Sequence, residues 1–157
     1  MGVREDIKEF TPIFYLNIDA EATGRIQLPV VSVYNNNQTF NFILDTGSVF
    51  SVINKDEVPN LDCSMLDSNG GAYGVDGNKI ETKFIRAIFT TDTIGFIEDF
   101  QVFDIPGLRN IENESGIKIV GLLGSAFFQR YRFQIDFDRM IAISKCDGVS
   151  SEPTDCN

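Results

Sequence analysis

The segment Phe42-Ile43-Leu44-Asp45-Thr46-Gly47-Ser48-Val49-Phe50-Ser51-Val52-Ile53 holds the residues best suited to chemistry in this chain. An apolar strand runs into Asp-Thr-Gly-Ser, and a second apolar strand leaves at once. A strand end inside a core is a costly place for a carboxylate, because losing water disfavours the charge. Such an acid needs hydrogen-bond donors nearby, which Thr46, Ser48 and the amides of a tight glycine turn would supply. Ser48 in particular is expected to donate its hydroxyl to the Asp45 carboxylate. The same four residues also fit a plain turn in which Asp45 caps its own loop. The chain contains no histidine, which excludes Ser-His-Asp and Cys-His nucleophiles, histidine-ligated zinc and imidazole bases. Any catalyst built here works with carboxylates, hydroxyls, lysine or backbone groups.

The 157 residues are enough for one domain with one sizeable core. Thirteen basic residues against twenty-three acidic ones leave a formal charge of -10. That balance argues against nucleic acid or an anionic membrane as partner, since both require a basic face. Cys63, Cys146 and Cys156 are an odd number without CxxC spacing. They form neither a disulfide framework nor a four-thiolate metal site, and they read as free thiols in a reducing, cytoplasmic setting. The apolar stretches around Ile13–Leu16 and Val120–Phe128 are too short to span a bilayer. The chain therefore reads as soluble.

Short runs dense in Val, Ile, Phe and Thr predict strands at about 12–18, 26–34, 38–44, 49–53, 79–90, 96–104, 131–136 and 139–144. Turn signals separate them, among them Asn35-Asn36-Asn37, Asp76-Gly77-Asn78, Pro106-Gly107 and Asp138-Arg139. Ser125 to Arg130 alone reads as a helix, with Gly124 near its start, and Lys55 to Asn60 has room for one helical turn. The expected fold is all-β, a small closed or partly closed barrel with one short C-terminal helix. The polar segment 1–11 and the polar tail 145–157 bracket the domain at 12–144.

Late in the chain stands Ile119-Val120-Gly121-Leu122-Leu123-Gly124-Ser125-Ala126-Phe127-Phe128. Together with the Asp-Thr-Gly-Ser loop, this segment resembles the retropepsin-like (single-domain, retroviral-type) aspartic proteases. In that family two hydrophobic residues and a glycine, from a strand crossing under the active-site loop, pack against it. Leu122, Leu123 and Gly124 match that element. Ile135-Asp136-Phe137 followed by Met140-Ile141-Ala142-Ile143 resembles the family's closing hairpin, so the likeness runs from about 26 to 144. Between the two segments, Gly70-Gly71-Ala72-Tyr73-Gly74-Val75-Asp76-Gly77-Asn78 has the turn chemistry of a hairpin. The resemblance implies a flap over substrate, with Gly74 to Gly77 at the tip and Tyr73 or Val75 facing the cleft. A plain solvated hairpin has the same composition.

The resemblance implies an aspartic endopeptidase in which Asp45 activates a water molecule, braced by Thr46, Gly47 and Ser48. Hydrolysis by carboxylates needs two of them, one ionised and one protonated. This chain has one Asp-Thr-Gly, because Asp92-Thr93-Ile94 lacks the glycine. A working site therefore requires a homodimer with an Asp45 from each subunit at the two-fold axis. Thr46 would then hydrogen-bond across that axis. The C-terminal tail is a poor strand, and by the resemblance to cellular members the apolar segment Met140–Ile143 could serve as the dimer contact instead. The partners implied are a peptide or protein substrate and a second copy of the chain, and no metal or organic cofactor is needed. A catalytically silent barrel, serving as a protein-binding or dimerisation module, is the competing reading. A protease acting only on its own precursor is a third.

Overall fold

The computed structural model describes residues 12–15, 28–66, 72–73, 79–80, 83–92 and 95–144. The terminal segments, Cys146 and Cys156 lie outside the described residues. In chain order the strands are β1 (Pro12–Tyr15), β2 (Val30–Asn35), β3 (Gln38–Leu44), β4 (Ser51–Asn54), β5 (Cys63–Leu66), β6 (Ala72–Tyr73), β7 (Lys79–Ile80), β8 (Lys83–Thr90), β9 (Gly95–Phe103), β10 (Ile119–Leu123), β11 (Phe133–Asp136) and β12 (Ile141–Ser144). A 3-10 turn occupies Lys55–Asn60, and two α-helices follow, α1 (Gly107–Ser115) and α2 (Ser125–Arg130).

The main sheet runs β2-β3-β10-β4-β9-β8-β5, and a further pairing of β2 with β8, at Tyr34 opposite Thr90, closes six of these strands into a barrel. The expected closed, all-β barrel is therefore present. Its first hairpin shows why local sequence suffices there. Asn35 pairs with Gln38 across a two-residue turn, and both turn residues, Asn36 and Asn37, have positive φ (48° and 62°). Asn tolerates that region better than other non-glycine residues, and such turns match the twist of paired strands. From Ile85 onward β8 alternates, burying Ile85, Ala87 and Phe89 while exposing Arg86, Ile88 and Thr90. That is the period of a strand with one face on a core.

Aromatic rings fill the interior. Phe42 stacks on Phe100 with centroids 5.4 Å apart and meets Phe89 edge-on, while Phe96 and Phe133 each lie within about 5 Å of Phe127. Each fully buried ring of this kind stabilises the fold by about 1.5–3 kcal/mol, well above the contribution of any one turn. A second cluster of Val30, Ile43, Leu108 and Ile119 seats α1 on the outside of the barrel.

Three features differ from expectation. α1 is a second helix where only a Pro-Gly turn was read. β10 and β5 are strands that the run of strand signals did not include. β12 is the middle strand of a separate sheet ordered β1-β12-β11. Both of its edges are paired within the chain, and Ala142 and Ile143 are buried. The segment Met140–Ile143 is therefore not available as the dimer strand the sequence suggested.

Candidate active site

The loop from Asp45 to Phe50 hangs between the ends of β3 and β4, and its position follows from the insertion of β10 between those two strands. β10 runs parallel to β3, with Ile43 opposite Leu122 and Leu44 opposite Leu123, and antiparallel to β4, with Ile53 opposite Gly121 and Val52 opposite Leu122. At the mouth of this arrangement the Asp45 amide donates to the Leu123 carbonyl oxygen at 2.9 Å. Leu123 is fully buried and fixes the height at which the acid leaves the core.

The turn then closes on itself. The Gly47 amide donates to Asp45 Oδ1 at 3.0 Å, and the Ser48 amide donates to the Asp45 carbonyl at 3.2 Å. The carboxylate is half-buried, whereas Thr46 and Gly47 are exposed. Val49 and Phe50 are 62% and 53% exposed, so two large apolar side chains flank the acid on the surface. The expected bond from Ser48 to the Asp45 carboxylate is absent. The Ser48 hydroxyl instead donates to the Phe50 carbonyl at 2.7 Å. Ser48 therefore ties the loop to its own backbone two residues on and leaves the carboxylate to the Gly47 amide.

The far side of the loop is tied to α2. The Ser125 amide donates to the Ser48 carbonyl at 2.7 Å, and the Ala126 amide to the Val49 carbonyl at 3.0 Å. These are first-turn amides with no partner inside their own helix, so the loop satisfies them. Gly124 makes the close approach possible. A Cβ there would sit 2.5 Å from the Phe50 carbonyl oxygen and 2.9 Å from that of Ser48. Its own amide donates to Ser51 Oγ at 3.0 Å in the buried interior. Gly121 is equally confined, since a Cβ there would fall 2.1 Å from the Val52 carbonyl oxygen.

The structure thus brings Asp45, Thr46, Gly47, Ser48, Leu122, Leu123 and Gly124 into one neighbourhood. β6 and β7 pair as an antiparallel hairpin, Ala72 opposite Ile80 and Tyr73 opposite Lys79. The tip residues Gly74, Val75, Asp76 and Gly77 lie outside the described residues, as does the orientation of the Tyr73 side chain. Sequence reasoning missed Ser51 and Glu98. Glu98 of β9 is 4% exposed, its Oε1 accepts from the Asp99 amide at 2.9 Å, and Arg130 of α2 stands 3.6 Å away. Burial pushes its carboxyl up to about 7, against the opposing pull of Arg130. The signal was a Glu in phase with Phe96 and Phe100 on the buried face of the run Phe96-Ile97-Glu98-Asp99-Phe100. Cys63, the free thiol on β5, is held above its usual range by burial and by Asp62, and it lies on another part of the sheet.

No family model matches the chain, and no curated protein matches it. Solved structures do. A retropepsin-like aspartic protease from Rickettsia conorii superposes with a TM-score of 0.51 at 19% identity, covering 87% of this chain and 92% of that one. The retroviral protease-like domain of Ddi1 from Leishmania major gives 0.51 at 12% identity, covering 91% and 96%. The chain has a retropepsin-like fold. The EIAV protease complexed with the inhibitor HBY-793 also aligns, with a TM-score of 0.45 at 24% identity over 65% of this chain and 86% of that chain. At these identities the likeness is one of fold, and the loop geometry must carry the chemistry.

Proposed function

We propose that the protein is an aspartic endopeptidase whose site forms when two copies bring their Asp45 loops together at a two-fold axis. The observation that carries this reading is the Asp-Thr-Gly-Ser loop, presented at the surface of a retropepsin-like barrel and held by the Leu123 carbonyl and the α2 amides. A lone capping turn has no need of an underlying strand and helix fitted to it with no room for a Cβ.

In the dimer one Asp45 is ionised and its counterpart protonated, because two adjoining carboxyls do not readily ionise together. The ionised group takes a proton from water, and the water oxygen bonds to the scissile carbonyl carbon. The protonated group hydrogen-bonds to the carbonyl oxygen as it gains charge. Collapse of the tetrahedral species breaks the C–N bond, and a carboxyl proton passes to the leaving nitrogen. One water is consumed, and no cofactor enters. Thr46 braces the pair across the axis, and the β6–β7 hairpin serves as the flap over the peptide. Substrate is a peptide or protein.

The test is a peptide-library digest at several pH values beside an Asp45→Asn control. Cleavage by the wild type and its loss in a folded Asn variant support the reading. Equal cleavage by both overturns the assignment of Asp45, and binding of peptides without cleavage assigns the barrel to recognition instead.

A further inference from the structure

The ladder between β4 and β10 ends just short of the loop. Its last pair is Val52 opposite Leu122, and the next rung would join Ser51 to Leu123. Leu123 instead pairs with Leu44 and accepts the Asp45 amide. In place of the missing rung, the Ser51 hydroxyl oxygen accepts the Gly124 amide at 3.0 Å. Ser51 is 3% exposed and pairs with Phe100 of β9 through its backbone. A hydroxyl buried to that degree has given up its water and needs a partner in the protein. Ser51 is thus a barrel residue, held by the β4–β9 ladder, whose side chain reaches the start of α2.

The segment it holds is the one that grips the loop. Gly124 is the N-cap of α2, and its carbonyl accepts the Phe127 amide at 3.1 Å. The next two amides, those of Ser125 and Ala126, donate to the Ser48 and Val49 carbonyls. Contacts from 123 to 126 therefore run to Asp45, Ser48, Val49 and Ser51. All but the last join backbone to backbone, which a substitution leaves in place. Without the Ser51 hydroxyl, the buried Gly124 amide becomes an unpaired donor. The first turn of α2 is then free to shift, and the amides that fix the loop shift with it.

We propose that Ser51 is a positioning residue for Asp45: its hydroxyl fixes Gly124, Gly124 fixes the first turn of α2, and that turn holds the loop at the height from which the carboxylate acts. The hold on the loop stands on geometry alone, and its consequence for turnover rests on the protease reading.

Amide hydrogen exchange in the full-length protein, with peptide cleavage measured beside it, tests this. Ser51→Ala should speed exchange at Gly124, Ser125, Ala126, Gly47 and Ser48 by about tenfold or more, while amides of the β8–β9 ladder keep their rates. Ser51→Thr and Ser51→Val have one shape and differ by the hydroxyl, so exchange should be slow in the first and fast in the second. Ser51→Cys keeps the volume with a weaker acceptor. It should show the alanine pattern at smaller size, and it carries the comparison if the apolar variants do not fold. In the cleavage assay Ser51→Ala should lower kcat by about tenfold or more, with KM within about threefold of wild type, and Ser51→Thr should exceed Ser51→Val in kcat by a similar factor. Loop rates unchanged in Ser51→Ala, rates that rise equally in the β8–β9 ladder, or a loss confined to KM overturn the inference. Faster loop exchange in a chain that cleaves no peptide defeats the protease reading alone. Unaltered loop exchange in an active Ser51→Ala protein defeats this inference alone.

Discussion

At the scale of single residues, two side chains set the terms. Gly124 is fixed by space, not by backbone conformation: its φ is -90°, open to any residue, yet a Cβ would meet the Phe50 carbonyl at 2.5 Å. Gly124→Ala should therefore push α2 away from the loop and destabilise the protein by about 1–3 kcal/mol, the usual cost of overpacking. Urea unfolding measures this, and an unchanged midpoint would show that the loop gives way freely. Glu98 sets a pH dependence whose sign is unusual for a carboxyl. Its folded value of about 7 lies above the ordinary 4.5, so between the two the folded chain binds the extra proton. The contribution is fully present below about pH 4.5 and is lost as pH rises through 7, with a size of about 3 kcal/mol at 1.36 kcal/mol per pH unit. Glu98→Gln should accordingly be more stable than wild type at about pH 8 and gain nothing at about pH 4.5. Denaturation at the two pH values decides it; parallel curves would mean that the buried carboxyl has water access. The Ser48 hydroxyl was misjudged from sequence for a related reason. Residue types name the donors in a tight turn, but which acceptor lies within reach depends on the path of Phe50 two residues on.

Elements differ in how much of their cause is local. β3 was legible to the residue, because Asn36-Asn37 sets its start and the Leu44-Asp45 junction sets its end, and α2 was legible because Gly124 and Arg130 mark its limits. The Asp-Thr-Gly-Ser loop and the Leu-Leu-Gly segment were likewise visible as partners, and the structure places them in contact. β10 was harder to see, since an apolar run continuing into an apolar helix carries no period that separates the two. β5 is a short edge strand, Cys63-Ser64-Met65-Leu66, with little β-branched content, and it is held by pairing with β8. α1 was hidden by its opening Pro106-Gly107, which reads as a turn. Its real signals were Pro106 at the start, Leu108 and Ile111 on one face, and Gly116 after the end. Gly116 has φ 75°, and its amide donates to the Glu112 carbonyl at 2.8 Å. The Gly116→Ala substitution meets open space but a left-handed backbone, so it should cost about 1–2 kcal/mol. Thermal unfolding would register that loss, and a neutral result would mean that α1 ends differently in solution.

For the whole molecule the decisive quantity is charge. Each chain carries a formal -10, and the proposed site exists only when two such chains meet. The faces that would meet carry exposed Thr46, Gly47, Val49 and Phe50 around a half-buried Asp45. Apolar Val49 and Phe50 favour association, while net repulsion opposes it. β12 cannot add a partner strand, because β1 and β11 already occupy its edges, so association through that sheet would have to use an outer edge of β1 or β11. Pairing therefore depends on a limited apolar contact working against long-range repulsion, and salt should tip that balance. At 0.1 M ionic strength charges are screened beyond about 10 Å, and at 1 M beyond about 3 Å. Specific activity should thus rise with protein concentration until the dimer saturates, and the concentration at half-saturation should fall as salt is raised. Val49→Asp or Phe50→Asp should move that half-saturation point upward by at least tenfold, since either adds repulsion where apolar area was to be buried, and tenfold corresponds to about 1.4 kcal/mol. Sedimentation run beside the digest provides the check: an active species that sediments as a monomer at every concentration would show that one Asp45 suffices, and the two-carboxylate mechanism would have to be abandoned.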